Sequence, residues 1–251
     1  MEDQHIAGRW SGKFSSSANP EYVVELDAAI ALLPSGGFPS IFGASADGDL
    51  VIGTYAAESR KATFRVSGIA AGSDDGTLVF TGTVFGGSGS SSSSDAAVVR
   101  MAGTWNQPSS GVSGMFGLML VEPGASLAGV WKGEAVPAPE LAPFCIPTNP
   151  ITWVLAPIPD RGDAVVGAGF FDDAADVPGQ PVIAFTVTGT CTVEGDENKL
   201  KLVKQYEYNE AVENYAVDYV GVWDKSAQAV SGSWRNELGG SHGSFHARRL
   251  D

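Results

Sequence analysis

The same short pattern occurs twice in the chain, as Gly8-Arg9-Trp10-Ser11-Gly12 and as Gly129-Val130-Trp131-Lys132-Gly133. An apolar residue and an alanine precede each copy, and the copies begin 129 − 8 = 121 residues apart in a chain of 251. A tryptophan between two glycines at the head of a run of short strands is typical of small antiparallel barrels, because the glycines let backbone pass close to the ring. We therefore interpret each copy as the first strand of one half of the protein, and Trp10 and Trp131 as structural side chains that close and brace the two halves.

Further matches in the same order indicate an internal duplication. Phe64–Gly68 matches Phe185–Gly189 at the same offset of 185 − 64 = 121 residues, and Val112–Phe116 matches Val230–Trp234. Several separate matches in one order are the signature of a duplicated unit. The sequence predicts two homologous halves.

The last strands of the two halves can be aligned in two ways. The alignment of Val112–Phe116 with Val230–Trp234 matches more residues, and we prefer it; it leaves residues 243–250 without a counterpart and free to complete a neighbouring sheet. The competing alignment matches Trp105, Gly114 and Phe116 with Trp234, Gly243 and Phe245, and it also keeps every spacing.

The predicted fold is all-β, with two tandem homologous antiparallel up-and-down β-barrels: residues 1–121, a linker at 122–126, and residues 127–251. Each half contains seven or eight short apolar runs, joined by turn signals such as Asp47-Gly48, and no run has a helical period. Residues 30–43 are apolar but contain two prolines and three glycines. They are predicted to form a loop across a barrel mouth.

Composition excludes several classes of partner. The formal charge is −14 with no basic cluster, which disfavours nucleic acid and anionic membrane surfaces. No run approaches the ~18 apolar residues of a membrane span, and no apolar segment of a secretory signal follows Met1. We expect a cytoplasmic protein in which Cys145 and Cys191 are reduced thiols, with a disulfide between them as the alternative.

The opening Gly-x-Trp, followed by hairpin-linked strands, resembles the calycin-type barrels: lipocalins, fatty-acid-binding proteins and avidins. That resemblance covers each half in outline and implies a small ligand held inside a barrel. The string Gly103-Thr104-Trp105-Asn106-Gln107 is similar to the opening of avidins, but it lies late in its half. No biotin-binding residue is therefore carried over.

Two neighbouring strands of the second half bring aromatic side chains together. Strand alternation places Tyr215, Tyr219 and Trp223 on one face of their strand, and Lys204, Tyr206 and Tyr208 on one face of the strand before it. An aromatic wall with phenol groups suits an aromatic or polyene-like ligand. The structural alternative is a core whose hydroxyl groups reach solvent at the rim, or a contact between the barrels.

A proline-rich segment distinguishes the second half. Residues 136–150 contain five of the 14 prolines, and proline cannot join the hydrogen bonds of a central strand. We predict a stiff apolar loop that either covers the barrel mouth as a lid or packs against the other barrel. The predicted ligand-binding set is Trp153, Phe144, Tyr206, Tyr208, Tyr219 and Trp223, and the predicted function is a non-catalytic carrier of a small apolar molecule.

Two other functions remain open. A barrel enzyme of the cyclase or isomerase type would act by confinement, with acid–base groups from Tyr206, Tyr208, Asp218, Lys204 and Glu207. A purely structural or partner-binding pair of barrels is the third reading. No cofactor motif appears, and no metal site is predicted, because His242 and His246 lie ~13 Å apart along an extended strand.

Overall fold

The computed structural model describes residues 6–21, 23–33, 40–67, 76–86, 98–121, 127–141, 148–171, 184–206, 216–236 and 240–250. Among these residues, no helix has the length and apolar character needed to cross a membrane. The described helical structure consists of the short 3-10 segments Pro139–Leu141 and Pro159–Arg161.

Sixteen strands in the described residues form the two halves. The first half comprises β1 (Ile6–Ser16), β2 (Val23–Leu32), β3 (Ile41–Ser45), β4 (Leu50–Ala56), β5 (Lys61–Ser67), β6 (Leu78–Phe85), β7 (Arg100–Gln107) and β8 (Val112–Val121). The second half comprises β9 (Gly129–Pro137), β10 (Asn149–Pro157), β11 (Ala164–Phe171), β12 (Ala184–Glu194), β13 (Glu197–Tyr206), β14 (Ala216–Asp224), β15 (Ala229–Asn236) and β16 (His242–Arg249).

Each half is a closed eight-stranded barrel in which every strand pairs antiparallel with its neighbours in the chain. The first barrel closes where β1 pairs with β8, and the second closes where β16 pairs with β9. The predicted fold class, two tandem antiparallel up-and-down barrels, is confirmed. The strand β16 completes its own barrel, so the expectation that the last strand could complete a neighbouring sheet is wrong.

The structure favours the competing alignment of the last strands. Trp105 donates its indole N–H to the carbonyl of Ser15 at 3.0 Å, and Trp234 donates to the carbonyl of Val136 at 3.3 Å. Ser15 and Val136 are equivalent residues of the first strands, since 136 − 15 = 121. Trp105 therefore corresponds to Trp234, and the preferred alignment of Val112–Phe116 with Val230–Trp234 is wrong.

Close approach of backbone explains why glycines accompany these tryptophans. A Cβ at Gly114 would collide with the Ser15 carbonyl and the Trp105 indole, and a Cβ at Gly243 would collide with the Val136 carbonyl and the Trp234 indole. The same geometry in both barrels requires glycine at both positions. Glycine and tryptophan therefore work as one structural unit, nine residues apart in sequence but adjacent across a strand pair.

Register along the remaining strands corrects a second match. Gly43 pairs with Val51, and Val51 pairs with Val66; in the second barrel Gly167 pairs with Val187, and Val187 pairs with Lys204. These two series of paired residues occupy equivalent positions in the two barrels, so β12 corresponds to β4 and β13 corresponds to β5. The proposed match between Phe64–Gly68 and Phe185–Gly189 is therefore wrong, because residues 64–67 lie in the fifth strand of the first barrel and residues 185–189 in the fourth strand of the second.

Residues 30–43 do not form the predicted loop. Residues 30–32 belong to β2 and residues 41–43 to β3, while residues 34–39 lie outside the described residues. Ala28 to Leu32 are buried on both sides of the strand. A strand buried on both faces reads as a continuous apolar run without alternation, which is why the sequence obscured it.

The two barrels pack against each other through the outer faces of β1–β3 and β9–β11. Phe42 and Phe170 meet edge to face, with ring centroids 5.0 Å apart. Arg9 bridges Asp27 of its own barrel and Asp160 of the other at 3.0 and 3.1 Å. Small side chains allow the sheets to approach closely; the buried residues of this interface are Ala29, Ala31, Phe42, Ala128, Val130, Val154, Ala156, Ile158, Val166 and Phe170.

The inner faces form two separate aromatic cores, in which Trp10 and Trp131 are fully buried. The Trp131 indole donates to the Leu127 carbonyl at 2.9 Å. In the first barrel, Phe64 and Phe80 stack with centroids 5.0 Å apart. Complete burial of both tryptophans agrees with the bracing role inferred from the repeat.

Phe42→Ala should lower the free energy of unfolding by about 3 kcal/mol, because it leaves a cavity in the interface between the barrels. The control is Phe85→Ala, since Phe85 is 52% exposed while Phe42 is 2% exposed. We expect the control to change stability by about 0.5 kcal/mol or less. Urea unfolding followed by tryptophan fluorescence measures both; equal losses would contradict the interface.

Candidate functional site

The far end of each barrel is defined here as the end where its odd-numbered strands finish, opposite the start of β1 or β9. In the second barrel, Tyr206 is the last residue of β13 at this end. Lys204 lies two residues before it on the same strand, further inside the barrel. Alternation along β13 turns Leu200, Leu202 and Lys204 into the interior. Lys204 is 3% exposed, so the interior contains an amine.

Aromatic groups surround this amine. The Lys204 Nζ donates a hydrogen bond to the Tyr206 hydroxyl oxygen at 2.7 Å. The same nitrogen lies 4.5 Å from the ring centroid of Tyr206, 4.8 Å from that of Phe185 and 5.8 Å from that of Tyr219. These separations are within the range of cation–π attraction, which stabilises the charged form of the amine.

Burial dominates the acid–base properties of the site. Desolvation lowers the pKa of Lys204 from 10.5 to about 7. Burial, with the neighbouring Tyr206 as a smaller cause, raises the pKa of Tyr219. Near neutral pH, the site therefore offers an amine that exchanges between its charged and neutral forms, beside a Tyr219 phenol that stays protonated.

Trp153 extends the aromatic wall towards the opposite strands. Its ring contacts Tyr219 edge to face at 5.1 Å and stacks on Phe245 at 5.9 Å between centroids. The Trp153 indole N–H is buried and has no hydrogen-bond partner among the described residues. Beside the amine, the interior thus presents ring faces together with the polar hydrogen of Trp153, for which no described residue is a partner.

The first barrel provides an internal comparison, because strand registers assign an equivalent to each inward position. Val66 occupies the position of Lys204, and Phe80 occupies that of Tyr219. Both first-barrel residues are buried and apolar. The Lys204 amine and the Tyr219 hydroxyl are therefore additions to a framework that closes without them.

Aromatic volume is redistributed between the two barrels. Phe14 contacts Phe80 and Trp105 in the first barrel, at 5.7 and 5.1 Å between centroids. Its equivalent in the second barrel is Ala135, while Trp153 stands on the next strand where the first barrel has Ala28. In the first barrel, the ring that packs on the sixth strand comes from the first strand. In the second barrel it comes from the second strand, β10, instead of from β9.

The structure brings together four of the predicted residues: Trp153, Lys204, Tyr206 and Tyr219. Tyr208, Glu207 and Phe144 lie outside the described residues, as does Tyr215. The segment predicted as a proline-rich loop begins and ends within strands β9 and β10, and its 3-10 segment Pro139–Leu141 follows β9 at the far end.

Two predicted residues do not belong to the site. Trp223 is buried but lies six residues along β14 from Val217, the neighbour of Lys204, which places it about 20 Å away near the other end. Asp218 lies on the outer face of β14, between inward-facing Val217 and Tyr219. Neither reaches the amine, so both assignments are corrected.

Sequence reasoning missed two aromatic residues and one amide. Phe185 and Phe245 contribute rings to the aromatic wall. Asn236, the last residue of β15, is buried at the far end and pairs in register with Val217. Correct strand registers would have found them, because Phe185 pairs with Tyr206. No local motif marks any of the three.

A second candidate site lies at the far end of the first barrel, where a cavity of about 260 Å³ is present. Phe14, Val66, Leu78 and Phe80 form its apolar side, and Asp160 and Arg161 of the second barrel reach its rim. Arg161 pairs there with Asp47 at 2.7 Å. No sequence pattern indicates this cavity, since its rim combines residues from both halves.

The two histidines in the described part of the chain contact acidic side chains on the surface. His242 contacts Glu140 at 3.1 Å and His246 contacts Glu134 at 3.5 Å. Within the described part of the chain, no group of three histidine, cysteine or acidic side chains is arranged to hold a metal ion. Cys191 is a free thiol, and Cys145 lies outside the described residues.

Comparison of the chain with protein-family models, curated proteins and solved structures finds no significant match. A function must therefore be argued from the geometry of the site itself.

The free energy of unfolding should rise with pH between about 7 and 10.5, because the unfolded chain binds a proton at Lys204 that the folded protein has lost. The slope from this residue is at most about 1.4 kcal/mol per pH unit. Lys204→Met removes the contribution, so the variant should gain most over the parent protein below pH 7, and the gain should shrink as the pH approaches 10.

Urea unfolding at several pH values measures this difference. Lys201→Met is the matched control, because Lys201 is exposed on the outer face of the same strand. A stability difference between Lys204→Met and the parent protein that did not vary with pH would contradict the buried amine.

Proposed function

We propose that the second barrel binds a small, mostly apolar or aromatic molecule at its far end and carries it unchanged. The observation that supports this proposal is the buried Lys204 amine, hydrogen-bonded to the half-buried Tyr206 within a wall of aromatic rings. Burying an amine costs free energy, and a barrel of this register closes with valine at the same position. A polar group placed at that cost is expected to orient a ligand.

The location of the pair supports the same function. In the first barrel, the positions equivalent to Lys204 and its neighbours on the adjacent strand are occupied by Val66, Leu78 and Phe80. These three residues line a cavity. Small-molecule sites in barrels occur at the mouths, lined by apolar rings with few polar groups. A ligand-carrying role is also what the resemblance to calycin-type barrels implies.

A neutral aromatic probe tests the proposal. N-phenyl-1-naphthylamine should bind at one site per chain, and Val217→Phe should weaken binding by about tenfold, because Val217 faces the interior beside Lys204 and a larger side chain would occupy the ligand space. Fluorescence titration measures the affinity.

Two matched substitutions locate the probe. Val220→Phe lies on the outer face of the same strand, where Val220 is 53% exposed, and should leave affinity unchanged. Leu78→Phe is the equivalent change in the first barrel, beside its cavity. Weaker binding in Leu78→Phe alone would place the ligand in the first barrel and overturn the proposal, as would equal affinity in all three variants.

An enzyme of the cyclase or isomerase type is the second candidate, favoured by the lowered pKa of Lys204 beside the Tyr206 hydroxyl. A carrier returns its ligand unchanged, whereas such an enzyme returns an isomer. Chromatography of a ligand extracted after incubation separates the two. An isomer formed by the parent protein and lost in Tyr206→Phe would favour the enzyme.

A further inference from the structure

The Lys204 amine offers more than orientation, because it is a nucleophile enclosed by aromatic rings. We propose that the ligand of the second barrel carries an aldehyde or ketone group, which Lys204 captures as a reversible imine. This inference rests on the proposed function, since it names the chemical class of ligand for the same site.

Geometry supplies the first argument. The Lys204 Nζ is held at 2.7 Å from the Tyr206 hydroxyl, which keeps its position defined within the interior. When Nζ attacks a carbonyl carbon, the carbonyl oxygen lies two bonds from Nζ and within hydrogen-bond reach of the same hydroxyl. Tyr206 can therefore donate to the oxygen that must leave, and it acts on the reacting atoms directly.

The rings supply the second argument. Phe185, Tyr206 and Tyr219 present their rings to Nζ at 4.5 to 5.8 Å. Ring faces carry partial negative charge, so they stabilise a cationic iminium and disfavour an anion at the same place. A carbonyl ligand, which leaves the nitrogen cationic, fits this enclosure better than a carboxylate, which would bring a negative charge towards three rings.

The step balances without any further reactant. The ammonium form of Lys204 first releases a proton, and the neutral amine forms a C–N bond to the carbonyl carbon while the oxygen takes up a proton. The nitrogen then gives up one of its two hydrogens as a proton, and this proton converts the hydroxyl to water, which leaves as the C=N bond forms. The sum is ammonium plus carbonyl giving iminium plus water, and hydrolysis reverses it.

Burial favours formation of the imine and slows its hydrolysis. Desolvation in apolar surroundings increases the neutral fraction of an amine at neutral pH, which activates lysine as a nucleophile. The barrel wall around Nζ also limits the access of water, which slows hydrolysis of the product.

Reductive trapping tests the inference on the full chain. Incubation with 2-naphthaldehyde and cyanoborohydride near pH 7 should add the mass of the aldehyde less one oxygen atom, and peptide mapping should place it on Lys204. Lys201, exposed on the same strand, is the internal control in the same map. We expect Lys204 to be labelled about tenfold faster than Lys201, because only Lys204 is desolvated. Equal labelling, or faster labelling of Lys201, would overturn the inference.

A matched alcohol separates failure of this inference from failure of the proposed function. 2-Naphthylmethanol has the same ring system without the carbonyl and should displace N-phenyl-1-naphthylamine without forming an adduct. Displacement by the alcohol with no trapping of the aldehyde on Lys204 would overturn the imine and leave the carrier. Displacement by neither compound would overturn the carrier. Stronger displacement by 2-naphthoic acid than by the aldehyde, lost in Lys204→Met, would show that the site takes acids instead.

Discussion

Closure of each sheet by pairing of its first and last strands determines which side chains face the interior of this protein. Once β1 pairs with β8 and β9 with β16, alternation leaves no freedom: every second residue points inward around the whole circumference. Because both barrels share one register, each inward residue has an equivalent in the other barrel. Val66 and Lys204 can therefore be compared directly, as two side chains at one position of the same framework.

A second constraint comes from packing the barrels against each other. It buries the outer faces of β1–β3 and β9–β11, so these strands have no polar side. Alternation, which reveals a strand with one solvent-exposed face, is lost in this region, and for that reason the sequence pattern predicts a loop over residues 30–43, which include the first residues of β3. The doubled Gly-x-Trp and the turn at Asp47-Gly48 remained visible, because they depend on local backbone geometry. The fold class was thus predictable, whereas the strands at the interface were not.

Prediction of the site from the sequence succeeded where strands alternate cleanly and failed where it required the register of several strands. Lys204, Tyr206 and Tyr219 were found because β13 and β14 alternate cleanly and pair as neighbours. Trp223 was wrongly included because alternation assigns a face but not a height along the barrel. Phe185 and Phe245 were missed because their inclusion depends on registers across several strands, which the incorrect alignment of the last strands concealed. The cavity of the first barrel was out of reach, since Arg161 arrives there only through the contact between barrels.

The energetics of its burial distinguish Lys204, and no sequence motif marks it. An interior amine costs more free energy to bury than the valine that the first barrel holds at that position, and the Tyr206 hydroxyl and three rings offset part of that cost. Under the proposed function, a ligand that contacts the amine would offset more of this cost, so affinity for the ligand and the cost of burying Lys204 would have one origin. Trp131, Trp153 and Phe245 are buried in the same interior, so the proposed ligand would lie beside Lys204 at the far end. The position where the two halves differ in polarity is also the position where a ligand would contribute most to stability.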